Sequence, residues 1–199
     1  NYISDEPLVL DYENSSITRA AIQNNAITAT RTNVVKNAGK TGSGIRIGQL
    51  ELSNPNTSNS TLSGKSITKR TTNCSTASDS VTHATEVAGI MIGSNGVAPS
   101  ASLYSACTTS QSDFASAVEW LINQNVDIIN MSAGFSKGGY TSLDRWIDTI
   151  TYMHDILFVK SSGNNSTPKN NVTSPGYSYN SFTVGNLNYT GSSYVDAMN

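Results

Sequence analysis

GIRIGQLEL, residues 44–52, alternates apolar and polar side chains and predicts a β-strand that ends at the turn-forming Ser53-Asn54-Pro55. Further strands are predicted at 102–107, 126–131, 156–162 and 181–187. They alternate with helices predicted at 83–93, along the apolar face from 114 to 122, and along a second face from 143 to 150. This alternation favours a parallel sheet with helices on both faces. The sequence therefore predicts an α/β fold, a three-layer, mostly parallel, doubly wound sheet.

Composition narrows the class of function. The chain has 199 residues, of which only 13% are charged, and its net charge is −2. That balance provides no basic surface for a nucleic acid, so no nucleic-acid partner is expected. No apolar run approaches the ~20 residues that a membrane span needs, so none is predicted. A surface rich in Asn, Ser and Thr favours an extracellular or cell-surface (secreted) protein.

Two segments of the chain differ in character. Residues 1–40 are polar, with a weak helical pattern near 17–22, and form a segment that leads into the domain predicted at 41–199.

The two cysteines, Cys74 and Cys107, could form a disulfide or remain two small buried thiols. Sequence supplies no geometry to decide between them, and we favour the thiols.

Chemically distinctive residues follow three of the predicted strands. Glu51 ends the first strand, Ser132-Ala133-Gly134 follows another, and Ser161-Ser162-Gly163-Asn164 follows a third. His83 stands at the start of a predicted helix. Ligands of open α/β sheets bind beyond the carboxyl ends of the strands, so we expect these residues to share one crevice.

Four segments resemble blocks of the subtilisin-like serine proteases, the subtilases. THATEVAG (82–89) is similar to the block with the catalytic histidine, and GSGIRIGQLEL (42–52) to the strand with the catalytic carboxylate. VDIINMSAG (126–134) resembles one wall of the substrate cleft, and FVKSSGNNS (158–166) the block with the oxyanion-hole asparagine. Two further stretches fit the intervening segments, GVAPSASLYSA (96–106) and SPGYSYNSFTVG (174–185), and SSYVDAMN (192–199) resembles the stretch some way before the nucleophile.

The resemblance implies a role for each position. His83 would be the general base, Glu51 its orienting carboxylate and Asn164 the oxyanion donor. Ser132, Ala133 and Gly134 would bind an extended protein or peptide substrate by strand addition. Small residues at Ser161, Ser162 and Gly163 would leave room for a substrate side chain. No cofactor is identified and no metal ligands stand out, although the resemblance allows calcium.

Three departures from the family pattern matter. Glu51 replaces an aspartate. The family's His-Gly-Thr-His becomes His83-Ala84-Thr85-Glu86, and we expect Glu86 to lie in the first helical turn as a partner of the helix dipole. The nucleophile block G-T-S-x-A-x-P is absent from the sequence.

The resemblance thus predicts the N-terminal part of a catalytic domain that is incomplete at its C-terminus. The enzyme would be a serine endopeptidase acting through an acyl-enzyme, with its nucleophilic serine beyond residue 199 on a C-terminal fragment of the same protein. The chain alone would be inactive without that part. The alternative is a pseudoprotease that binds peptides without cleaving them. A Rossmann-type nucleotide site is disfavoured because Gly42-Ser43-Gly44 precedes the strand instead of following it.

Overall fold

The computed structural model describes residues 9–10, 26–135, 139–163, 172–185, 187–189 and 194–196. The strands are β1 (Val9–Leu10), β2 (Arg46–Glu51), β3 (Ile67–Lys69), β4 (Ser102–Cys107), β5 (Ile128–Met131), β6 (Ala133–Gly134), β7 (Leu157–Ser161), β8 (Ser181–Val184), β9 (Leu187–Tyr189) and β10 (Tyr194–Asp196). The helices are α1 (Thr32–Asn37), α2 (Ser78–Ile92), α3 (Gln111–Asn123) and α4 (Ser142–His154), and Ser60–Leu62 forms a 3-10 helix.

A parallel sheet forms the centre of the described structure. Within the described residues it has six strands in the order β3-β4-β2-β5-β7-β8, and every neighbouring pair is parallel. Two short antiparallel pairs lie outside it, β1 with β6 and β9 with β10. The six strands run parallel, as predicted from the alternation of strands and helices.

Helices cover the two faces of the sheet through separate apolar clusters. On one face, Leu50 and Met131 pack with residues of α3 and α4 such as Phe114 and Ile147. Another cluster joins the neighbouring strand positions Ile47 and Leu103 to the α2 residues Ala88 and Ile92. Leu50 and Ile47 lie on opposite faces because successive side chains alternate across a strand. The predicted three-layer α/β fold is therefore confirmed.

Element boundaries differ from prediction in the segment 53–80, for which no helix or strand was predicted. This segment contains the 3-10 helix and β3, and α2 begins at Ser78 instead of residue 83. The opening residues of α2 include Ser78, Asp79 and Thr82, which are polar, so apolar periodicity starts only after the helix has begun. The helical pattern predicted near 17–22 lies outside the described residues.

The cysteines form a disulfide, so our preference for two thiols was wrong. The Cα atoms of Cys74 and Cys107 lie 5.1 Å apart. The approach has a backbone cause: Arg70 N donates to Ser105 O at 2.8 Å, which extends the β3–β4 pairing and leads the chain back to the end of β4.

In the described part of the chain, no helix combines the length and the apolar character needed to cross a membrane.

Candidate active site

Glu51 and His83 are in direct contact. His83 Nδ1 lies 3.0 Å from Glu51 Oε2. The Glu51 side chain is fully buried, and His83 is only 6% exposed. With its proton on Nδ1, the imidazole donates to the carboxylate and turns Nε2 into the basic nitrogen. A buried carboxylate in this position also stabilises the imidazolium that forms when Nε2 accepts a proton.

Strand β2 fixes the position of Glu51. Glu51 is the last residue of β2, and its carbonyl oxygen accepts from Thr108 N at 2.9 Å, which extends the pairing with β4. Gln49, two residues earlier on the same strand, donates through Nε2 to Ala84 O at 2.8 Å and is fully buried. Gln49 thus ties β2 to α2 beside His83. It was missed from sequence, although a polar amide inside an apolar strand signals such a contact.

The loop after Glu51 is bound to α2 as well. Asn56 N donates to Thr85 Oγ1 at 2.8 Å, and Thr85 Oγ1 donates to Val81 O at 2.6 Å. Buried Thr85 therefore joins the loop to the helical turn that carries His83. These contacts hold the imidazole and the carboxylate at a fixed separation.

Two predictions about α2 were wrong. His83 is the sixth residue of the helix and Glu86 the ninth, because α2 begins at Ser78. The helix-dipole field acts mainly within the first turn, where Asp79 lies, so Glu86 is not the dipole partner that we predicted and His83 does not stand at the helix start. The carboxylate of Glu51 is the local electrostatic partner of the imidazole instead.

Parallel strands bring the other predicted segments to the same edge of the sheet. β2, β5 and β7 are adjacent and parallel, so Glu51, Met131 and Ser161 all lie at carboxyl ends. Ser132–Gly134 directly follows Met131. Ser161 Oγ lies 3.5 Å from Met131 O, which joins the segment after β7 to the segment after β5.

The Ala133–Gly134 backbone already pairs with a strand. β1 runs antiparallel to β6, with Val9 opposite Gly134 and Leu10 opposite Ala133. The Ala133 side chain is buried in the core, so this residue offers only its backbone to a ligand. Strand addition, which we predicted for a substrate at this edge, is the mode by which the N-terminal segment of the chain binds there.

The segment after β7 is described only up to Gly163. Ser161, Ser162 and Gly163 are half-buried, and Gly163 has a φ of 110°, a conformation that favours glycine. Ser162 is held by its backbone: its N–H donates to Val184 O at 2.8 Å, and its carbonyl accepts from Thr173 N at 3.0 Å. Asn164, the predicted oxyanion donor, lies outside the described residues.

A buried lysine behind this edge was not anticipated from sequence. Lys160 is fully buried, and its Nζ donates to Ser161 O at 2.5 Å and to Thr173 Oγ1 at 2.9 Å. A charged residue between the apolar strand ILFV and Ser161 is the signal that could have identified it. Its partner Thr173 comes from beyond the next loop and cannot be inferred from spacing.

An ion pair supports the opposite flank of the site near the disulfide. Arg70 donates to Asp113 Oδ1 at 2.8 Å and Oδ2 at 3.1 Å, and to Cys107 O at 2.9 Å. Burial alone would raise the pKa of Asp113, but hydrogen bonds from Arg70 and Asn73 and the charge of Arg70 outweigh burial and lower this pKa. Cys107 is the strand partner of Glu51, so this cluster adjoins the carboxylate.

Among the described residues, no group of three or more His, Cys, Asp or Glu side chains is arranged to hold a metal ion.

Comparison with known proteins adds the family and the fold. The family model described as the subtilase family matches residues 41–198. The chain is also similar to the solved structure of the prenylagaramide maturation protease PagA, with 21% identity and a TM-score of 0.63, covering 77% of this chain and 57% of that one.

Two further solved structures share the fold, with TM-scores close to that of PagA. The self-cleaved protease domain of PatA is 21% identical with a TM-score of 0.56, covering 73% of this chain and 58% of that one. The PatG macrocyclase in complex with peptide is 14% identical with a TM-score of 0.59, covering 79% and 61%. The chain therefore spans less than two thirds of the length of each of these relatives.

Proposed function

The chain belongs to the subtilase family, and on that premise we propose that it is the N-terminal part of a serine endopeptidase catalytic domain. The observation that carries the proposal is the 3.0 Å contact between buried Glu51 and His83. A buried carboxylate that accepts from Nδ1 is the arrangement a histidine general base requires. In this proposal residues 41–199 are catalytic-domain sequence, and residues 1–40 lead into it.

The reaction proceeds through an acyl-enzyme. A serine on a segment beyond residue 199 attacks the carbonyl carbon of a peptide bond, and His83 Nε2 takes the hydroxyl proton. Glu51 orients the imidazole and stabilises its charged form, and Asn164 donates to the oxyanion. His83 then gives the proton to the leaving amine, and water hydrolyses the ester by the same base catalysis.

The substrate is a protein or peptide in extended conformation. Its backbone lies along Ala133–Gly134, the edge that pairs with β1 in this structure. Its side chain on the acyl side of the scissile bond enters the pocket between Ser132–Gly134 and Ser161–Gly163. That placement follows because Asn164, the oxyanion donor, comes directly after Gly163 in the sequence.

The segment with the serine packs against β8 in this proposal. Phe182 and Val184, alternate residues of β8, are 63% and 44% exposed, so one face of this strand presents apolar surface. The partner is a C-terminal part of the same protein. We also propose an extracellular location, which the Cys74–Cys107 disulfide supports because such bonds persist in oxidising compartments.

Labelling of the full-length protein tests the proposed function. The protein is treated with a biotinylated serine-directed phosphonate and, separately, with a peptide library whose cleavage is followed by mass spectrometry. We expect covalent labelling and cleavage, and we expect His83→Ala to abolish both. Undiminished turnover by His83→Ala would contradict the role of His83 as base.

The alternative function is a pseudoprotease that binds peptides and does not cleave them. Ala84 and Glu51, which depart from the family pattern beside the base, are the residues that favour it. Peptide binding without labelling or turnover in the same experiment would establish this alternative.

A further inference from the structure

Gln49 is a polar residue buried in the strand that carries Glu51. Its side chain is fully buried. It lies on the same face of β2 as Ile47 and Glu51, because alternate residues of a strand share a face. This face packs against α2, since Ile47 belongs to the apolar cluster that includes Ala88 and Ile92 of that helix. A buried amide costs free energy unless it is hydrogen-bonded, so the role of Gln49 depends on what its amide binds.

The amide of Gln49 binds the backbone of α2 next to the imidazole. Gln49 Nε2 donates to Ala84 O at 2.8 Å, and the contact is buried. Ala84 lies inside α2, where one lone pair of its carbonyl oxygen serves the helix and the second accepts from Gln49. The bond therefore restrains the helix backbone itself, one residue after His83.

Two side chains of β2 thus hold successive residues of α2. Glu51 contacts His83, and Gln49 binds Ala84. Gln49 and Glu51 are two residues apart, or about 6–7 Å along the strand. Attachment at two points along one strand restricts both sliding of the helix along β2 and rotation of the helix, whereas a single contact would leave rotation about that contact free.

The start of α2 does not provide this restraint. Its N-cap residue, Ala77, makes no side-chain capping bond, and Ser78 and Asp79 in the first turn are exposed. His83 is the sixth residue of the helix and lies in its second turn, so its position depends on how this turn is attached to the sheet. Glu51 also reaches the imidazole through one rotatable bond more than an aspartate would, which makes the placement of α2 on β2 decisive.

We propose that Gln49 is a positioning residue for the general base, which orients the His83 imidazole against Glu51 through its bond to Ala84 O. The inference rests on the proposed endopeptidase function, in which His83 takes the proton of the nucleophile. When the bond is lost, α2 shifts on β2 and the imidazole moves relative to the carboxylate and the reacting hydroxyl. A misplacement of about 1 Å lowers the rate of such a step by about 100-fold.

Kinetics of the full-length protein tests this role with Gln49→Met, which keeps the length of the side chain and removes the donor. The matched control is Ser105→Ala. Ser105 lies opposite Gln49 on β4 and is fully buried, and its hydroxyl has no hydrogen-bond partner among the described residues. The control therefore removes a buried polar group from the same face of the sheet and leaves the bond to α2 in place. Gln49→Leu is measured in parallel, so that the result does not depend on the folding of one variant.

We expect Gln49→Met to lower kcat by about 10- to 100-fold with KM changed by less than about threefold, and Ser105→Ala to keep both constants. In a Glu51→Gln background the carboxylate no longer supports the base, so there Gln49→Met should lower kcat by less than about threefold. An unchanged kcat in Gln49→Met, an equal loss in Ser105→Ala, or the same loss in both backgrounds would overturn the inference and leave the endopeptidase proposal standing.

The tautomer of His83 provides a second measurement that requires no turnover. NMR of the protein with ¹⁵N-labelled histidine distinguishes a proton on Nδ1 from one on Nε2 at a pH where the imidazole is neutral. We expect the Nδ1–H tautomer in wild type and Ser105→Ala, and a mixture of tautomers in Gln49→Met and Gln49→Leu. If wild type cleaves nothing, the endopeptidase proposal fails and this measurement decides: the mixture supports positioning by Gln49, and an Nδ1–H tautomer kept in both variants overturns it.

Discussion

In the proposed mechanism Glu51 acts through His83, and a variant that removes its charge while keeping its shape tests that role. Glu51→Gln in the full-length protein preserves the volume of a fully buried side chain and removes the stabilisation of the imidazolium. We expect kcat to fall by about 10³–10⁴-fold, with KM changed by less than about threefold, since substrate binding does not involve Glu51. Steady-state kinetics measures both constants.

The control for this prediction is Glu119→Gln, which removes a carboxylate from the exposed side of α3. We expect wild-type kinetics from it. A Glu51→Gln variant that keeps kcat would show that the carboxylate does not support the base.

Asp113 leads to a prediction about stability and pH. Its pKa is lowered in the folded protein from the ordinary value of 3.8, so its ion pair with Arg70 stabilises the fold above that value. The stabilisation is lost as pH falls through the lowered pKa. At pH 7 we expect Asp113→Asn to reduce the free energy of unfolding by about 1 kcal/mol. Urea denaturation at pH 7 and below pH 3 checks this, and an equal difference at both would contradict it.

At the scale of elements, the disulfide joins the end of β4 to the loop before α2. Its cysteines are 33 residues apart in sequence. Closing a loop of this length reduces the entropy of the unfolded chain, which raises the free energy of unfolding by about 3–4 kcal/mol in the chain-entropy model. We therefore expect the double variant Cys74→Ser with Cys107→Ser to lower Tm by roughly 8–15 °C. Calorimetry measures the shift, and wild type in reductant should reproduce it. A Tm unchanged in both would show that the bond contributes nothing to stability.

The elements also show how far sequence reasoning reaches. The strand predicted at 102–107 is β4, and the apolar face from Phe114 to Ile122 lies in α3, because long periodic segments carry their own signal. The start of α2 was misplaced because its first turn is polar. The pairing of β1 with β6 joins two-residue strands far apart in sequence, and no local pattern indicates it.

Part of the candidate site could also be predicted from the sequence, and part depends on tertiary packing. Placement of Glu51 at a strand end followed from periodicity, and its pairing with His83 followed from the family resemblance. The 3.0 Å contact and the Gln49 bond to Ala84 O depend on how α2 packs on β2, which is tertiary information. Lys160 was visible as a charge in an apolar strand, but its contact with Thr173 depends on two segments that meet only in the folded chain.

At the scale of the molecule, the exposed apolar face of β8 leads to a prediction for Phe182→Lys, which should favour the soluble monomer of residues 1–199 but destabilise the full-length protein. Phe182 is 63% exposed, so in residues 1–199 expressed alone we expect Phe182→Lys to increase the soluble monomer fraction, measured by size-exclusion chromatography. In the full-length protein, where we propose that a C-terminal segment covers β8, burying the lysine should destabilise the fold by about 2 kcal/mol or more. Unchanged stability there would argue against such coverage.

The pairing of β1 with β6 places a segment of the chain itself at the edge where a substrate is proposed to bind. A strand tethered to the same chain competes for the cleft at a local concentration in the millimolar range, which is independent of how much protein is present. In the proposed function a substrate peptide must displace β1, which would raise the apparent KM by one constant factor at all enzyme concentrations. Deleting residues 1–10 should lower KM and leave kcat unchanged, and returning those residues as a separate peptide should restore the original KM only at a millimolar dose. The N-terminal segment would then slow the cleavage of peptides present below the raised KM and leave the rate at saturation unchanged.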